Sequence, residues 1–108
     1  MEEERRTAAR RALRAVVTMK SGAFVVNMRT ADISPSGICL IGDQRFPVGS
    51  EWRIEFRLPT AAGPVPITAD VSVVYSVLAA GQGWKSGLQF SRMSQEEFDV
   101  VAAFVRRS

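Results

Sequence analysis

The sequence predicts an all-β fold: a small six-stranded antiparallel β-barrel with one C-terminal α-helix. Three observations carry this. β-rich runs recur at short intervals with turn residues between them, residues 52–58 alternate apolar and charged side chains without a break, and a helical period with its own cap appears only after Ser94.

Taken in order, residues 1–14 hold five arginines (Arg5, Arg6, Arg10, Arg11, Arg14) against Glu2, Glu3 and Glu4, and read as a flexible arm ahead of a folded domain over 15–108. Residues 16–19 and 23–28 flank the dipeptide Ser21-Gly22, the pattern of a hairpin. Residues 30–34 end one strand and 37–41 start the next, across the turn Ser34-Pro35-Ser36-Gly37. A turn at Gly42-Asp43 and a loop over 46–49 lead to the alternating strand, in which Trp52, Ile54, Phe56 and Leu58 are core candidates. Residues 59–66, rich in Pro, Gly and Ala, read as a loop; residues 67–78 resume β-character, and Gly81-Gln82-Gly83 interrupts it. Leu88 and Phe90 share one face of a last strand. Ser94 with Glu97 forms a capping box, followed by Phe98, Val101, Ala102 and Val105 at helical spacing and by Arg106 and Arg107 where cations suit the helix dipole.

A chain of 108 residues, 46% hydrophobic, can bury a core of its own without a metal or disulfide staple. The absence of histidine removes the His-dependent nucleophile systems and every His-containing zinc site, and no acid, base, nucleophile and metal set can be assembled from what remains, so an enzyme is not expected. Cys39, in the run Ile38-Cys39-Leu40-Ile41, reads as a small buried hydrophobe. An acidic start, with no apolar segment after it, argues against a secretory signal; no stretch suits membrane insertion, and a cytoplasmic location is expected. The net charge of +3 is modest and there is no lysine-rich stripe, so nucleic acid is not the expected partner. The excess of arginine over lysine suits bidentate recognition of a specific anion.

Two patterns carry chemistry: Arg6-Thr7-Ala8-Ala9-Arg10, an RxxxR, and Asp32-Ile33-Ser34-Pro35-Ser36-Gly37, a [DN]xSxxG, in that order. Together with Ser86-Gly87-Leu88-Gln89-Phe90 and the helix after it, they resemble the PilZ domain family of small β-barrels that bind cyclic di-GMP. Arg10 and Arg14 also fit RxxxR, directly before the first strand; the spacing to Asp32 favours Arg6 and Arg10, and both registers stay open. The resemblance implies no cofactor, and a ligand, cyclic di-GMP, held by Arg5, Arg6, Arg10, Arg14, Asp32, Ser34 and Gly37. Arg5 resembles the additional arginine that in some members favours an intercalated pair of ligand molecules.

The residue types fit that ligand. A guanidinium can grip the O6/N7 edge of guanine bidentately, stack on its face and neutralise phosphate. Asp32 offers acceptors for guanine N1 and N2, Ser34 a hydroxyl, and Gly37 a position where a side chain would obstruct close approach. Tyr75 and Trp84 stay open between core and site. The alternative to a ligand role is that residues 5–15 are a short Arg/Ala-rich helix with solvated charges and that Asp32 and Ser34 are ordinary turn formers. The resemblance implies a noncatalytic receptor, monomer or ligand-dependent dimer, whose ligand orders the arm and changes affinity for a protein partner. The alternatives are a PilZ-like interaction module without useful nucleotide binding, and a small basic barrel for single-stranded nucleic acid, which would need exposed aromatics among basic residues on the sheet.

Overall fold

The hairpins follow from local chemistry. In the computed structural model, which describes residues 9–107, β1 (Arg11–Ala12), β2 (Val16–Ser21), β3 (Phe24–Ser34), β4 (Gly37–Gly42), β5 (Glu51–Thr60), β6 (Gly63–Ala79) and β7 (Gly83–Arg92) precede one helix, α1 (Gln95–Arg106). Ser21 pairs with Phe24, so the β2–β3 loop is Gly22-Ala23, one residue later than the sequence suggests. Gly22 takes φ 60°, the positive φ that a two-residue hairpin needs at its first central position.

All pairings are antiparallel, in the order β1-β3-β2-β5-β6-β7-β4, and a further β3–β4 pairing closes β2 to β7 into a ring of six. The seventh strand, β1, is the correction to the expected six. Arg11 and Ala12 pair with Ile33 and Asp32 along the same edge of β3 that β2 occupies further on. Between β1 and β2, Leu13 N donates to Ala31 O at 3.1 Å and Thr30 N to Ala15 O at 2.9 Å. The buried Thr30 hydroxyl bridges the same gap, donating to Leu13 O at 2.6 Å and accepting from Ala15 N at 2.8 Å. The arm expected over 1–14 therefore ends earlier: residues 11–14 lie along the sheet, and residues 1–8 lie outside the described residues.

Ring closure makes one core. Val17, Met19, Ile33, Leu40, Ile54, Leu58 and Val71 are fully buried in it, and α1 adds Val101, Phe104 and Val105. Burying a Leu or Ile side chain contributes roughly 1.5–3 kcal/mol, so this inward set dominates the stability. Phe46, placed in a loop by the sequence, is fully buried and meets the partly buried Trp52 edge-on at 5.2 Å. Its backbone N–H is held by Ser76 Oγ at 3.1 Å, which lets a loop residue enter the core without an orphaned donor.

The segment 59–66 is not a loop. β5 and β6 form one long hairpin, Pro59 opposite Pro64 and Arg57 opposite Pro66, with only Ala61-Ala62 between the strands. Prolines fit here because β5 pairs with β2 only at Arg53–Glu55 and β6 pairs with β7 only from Asp70 onward. Beyond those points each strand has a single neighbour, and the ladder needs no N–H on the other side.

The helix begins as its sequence requires. Ser94 Oγ accepts from Glu97 N at 3.1 Å and donates to Glu97 Oε1 at 2.9 Å, a cap that contributes about 1 kcal/mol. Glu97 Oε2 also accepts from Thr68 N at 2.9 Å and so ties the first turn to β6. The buried stripe is Val101, Phe104 and Val105, while Phe98 is exposed, contrary to the helical spacing. Phe104, three residues after Val101, joins the core, and Arg11 lies over its ring, the guanidinium 4.0 Å from the ring centre and bonded to Phe104 O at 2.8 Å.

Candidate functional site

The two motif halves meet on the outer face of the sheet. Along residues 10–14 the side chains alternate: Arg10, Ala12 and Arg14 are exposed, Arg11 is half-buried and Leu13 buried. Ala12 is the register partner of Asp32, which puts Asp32 beside Arg10. Arg10 Nη1 donates to Asp32 Oδ1 at 2.6 Å, with both side chains open to solvent. Such a pair adds at most about 1 kcal/mol to stability, so its carboxylate and guanidinium can be redirected to a ligand at little cost.

Asp32 follows an irregularity in β3. Thr30 pairs with Leu40 and Asp32 with Cys39, which leaves Ala31 as the extra residue of a bulge, the device that re-aims side chains at a sheet edge. The end of β3 is then fixed by Ser34. Its hydroxyl accepts from Ser36 N at 3.2 Å and Gly37 N at 3.1 Å, donates to Gly37 O at 3.3 Å and lies 3.2 Å from Ser36 Oγ.

These contacts give two of the expected ligand residues a structural task. Ser34 has no exposed surface, so its hydroxyl shapes the turn and does not face solvent. At Gly37 a Cβ would stand 2.2 Å from Leu88 O, so the close approach that requires glycine here is that of the β7 backbone. Arg14 projects from the same face as Arg10, two residues past Ala12, with no ion pair to Asp32. Arg5 and Arg6 lie outside the described residues. Both RxxxR registers share Arg10, the arginine that meets Asp32.

Tyr75 belongs to this surface, and sequence reasoning did not place it there. Its hydroxyl lies 3.8 Å from Cys39 Sγ, and Cys39 is the register partner of Asp32. A Cβ at Gly87, opposite Tyr75 on β7, would stand 2.2 Å from the ring. Gly87 thus leaves the hollow in which the ring lies. The signal available was a glycine inside a strand pattern, which marks close approach without naming what approaches. Partial burial, then the hydrogen bond with Cys39, raises the Tyr75 phenol above its ordinary pKa; Arg10 acts on it in the opposite sense and Asp32 in the same sense. Arg10, Asp32 and Tyr75 therefore form one electrostatic group. It offers a guanidinium, a carboxylate and a partly exposed ring, and Cys39 is buried behind it, as expected. Trp84 is half-buried at the start of β7, with the Arg45 guanidinium 6.0 Å from its ring centre, apart from this group.

Among the described residues no three His, Cys, Asp or Glu side chains group as metal ligands, and no helix is long and apolar enough to cross a membrane.

The fold is shared with solved structures at low identity. Bacillus subtilis MotI/DgrA, an inhibitor of motility, superposes with a TM-score of 0.84 at 18% identity, over 92% of this chain and 48% of that one. This chain thus spans about half the length of that relative. The PilZ domain of Escherichia coli YcgR, solved with c-di-GMP, gives 0.63 at 13% identity over 91% and 86% of the two chains. Borreliella burgdorferi PlzA, in complex with c-di-GMP, gives 0.57 at 15% identity over 88% and 45%. No curated protein matches. The PilZ domain model matches residues 4–107, both motifs and the helix included, and the chain belongs to the PilZ domain family.

Proposed function

We propose that this protein is a noncatalytic cyclic di-GMP receptor that acts through a protein partner. The observation that carries the reading is the Arg10–Asp32 ion pair at 2.6 Å, which joins the two halves of the PilZ motif on an exposed face. Family membership and the two neighbours solved with c-di-GMP support it.

In this reading Arg10, with Arg6 or Arg14, grips guanine O6 and N7 and the phosphates, and Asp32 accepts from guanine N1 and N2. Tyr75 supplies a ring face for a base. Ser34 and Gly37 hold the turn that presents Asp32. Ligand replaces the Arg10–Asp32 pair with contacts to itself, and the rearranged arm alters the surface a partner meets.

Calorimetric titration with cyclic di-GMP, with GTP and a short oligonucleotide as controls, tests this directly. Saturable binding of the cyclic dinucleotide alone is expected, with Arg10→Ala and Asp32→Ala each lowering affinity at least about tenfold while leaving the protein folded. A ratio near two ligands per chain would support the role proposed for Arg5. Absence of binding to the wild type would move the protein to the PilZ-like interaction modules, and binding that survives both substitutions would place the site elsewhere.

A further inference from the structure

An open cleft of about 780 Å³ lies between β1, the tip of the β5–β6 hairpin and the last turns of α1. Val65, Val100 and Ala103 give it apolar walls, and its charges are the guanidiniums of Arg11, Arg14 and Arg107. No acidic side chain is among the described residues that line it. Arg107 is exposed, so its charge is available to an occupant; Arg14, also exposed, stands at the border between the cleft and the face of Arg10.

The chemistry selects one kind of occupant. Three cations, with no carboxylate among the described residues that line the cleft, call for negative charge, and the aliphatic walls call for apolar side chains between the negative ones. A nucleotide base would find no free aromatic face, because the Phe104 ring is covered by Arg11 at 4.0 Å. We propose that this cleft docks an acidic peptide segment with apolar anchors, supplied by the protein partner. The inference rests on the receptor reading for the existence of a partner.

It also gives that reading a route. Arg10 and Arg11 are adjacent in the chain and point to opposite sides, Arg10 to Asp32 and Arg11 to the last turns of α1. A ligand that takes hold of Arg10 therefore shifts the wall of the cleft through two neighbouring residues, with no rearrangement of the ring.

A phage-displayed dodecapeptide library panned on the full chain, with the selected peptide then synthesised and titrated by fluorescence anisotropy, provides the test. Arg107→Glu and Ala103→Trp both lie on α1, away from Arg10 and Asp32, and thermal melts establish that each variant is folded. Peptides that combine Asp or Glu with apolar residues are expected, with affinity falling about tenfold in each variant and falling with added salt. Cyclic di-GMP titration of the same variants should match wild type. Peptides without acidic residues, or binding indifferent to both substitutions, would overturn the proposal. Concentration-dependent self-association abolished by Ala103→Trp would assign the cleft to a second copy, and loss of cyclic di-GMP binding in that variant would assign it to the nucleotide; either result also overturns it. Failure of the wild type to bind cyclic di-GMP sinks the receptor reading, a separate result from the peptide titration.

Discussion

Ser34 is fully buried and the hydrogen bonds of its turn run through its hydroxyl, whereas Arg10, across Asp32, is half exposed and held by one carboxylate. Both belong to the same motif pair, yet one half is built like a core and the other like a surface. The difference separates two kinds of dependence. Changes in the turn should cost folding, and changes in the arginine half should cost recognition.

Gly37→Ala is the severest way to probe the turn. Its Cβ would meet Leu88 O at 2.2 Å, and relief requires two strand backbones to separate. A loss of roughly 2–3 kcal/mol is expected by urea denaturation. A variant as stable as wild type would show the turn to be as yielding as the arm.

Ser34→Ala removes the acceptor for the Ser36 and Gly37 N–H groups inside a buried turn. The expected cost is about 1–2 kcal/mol on the same measurement, with nucleotide affinity close to wild type where the variant is folded. Affinity lost without stability would return Ser34 to direct ligand contact.

Arg10→Ala should change stability by about 0.5 kcal/mol or less, because its pair with Asp32 is solvent-exposed. A larger loss would mean that β1 is anchored through Arg10 and not through Arg11 and Leu13.

The smallest effect concerns Tyr75, the only tyrosine in the chain, so its ionisation can be followed alone by tyrosinate ultraviolet absorbance. Its folded pKa is raised, so the folded state holds the phenolic proton more tightly than the unfolded one. The resulting stabilisation is complete below the unfolded value of about 10 and is lost as pH climbs through the folded value. Tyr75→Phe should flatten that part of the stability profile. A titration at the ordinary tyrosine value would place the ring in water, away from Cys39.

Much of this is legible in the sequence, because alternation, turn residues and caps act over a few neighbours. The half-buried strand at 52–58, the turn at 34–37 and the cap at Ser94 are of that kind. The meaning of Pro59, Pro64 and Pro66 was not, since a proline is excluded from a strand only where that strand has a neighbour on both sides, and neighbours are set by the closed ring. That Phe104 and not Phe98 completes the buried stripe of α1 depends on how the helix sits on the ring, with Arg11, far away in sequence, over Phe104. Within the site, the motif resemblance named Arg10 and Asp32 as ligand residues, but their pairing with each other was not readable, because it depends on β1 running alongside the end of β3. Tyr75 could not be placed, because its position depends on a register shift in β6 and on Gly87 across the ladder.

The overhanging tip of the β5–β6 hairpin has a further consequence. An open strand edge is a template on which another chain can add a strand, the first step towards fibrils and tangled dimers. Here the places where two such molecules would stitch together carry Pro59, Pro64 and Pro66, residues that cannot donate the hydrogen bonds a growing sheet requires. The ring leaves this tip uncovered, and its prolines leave it short of the donors that strand addition would use.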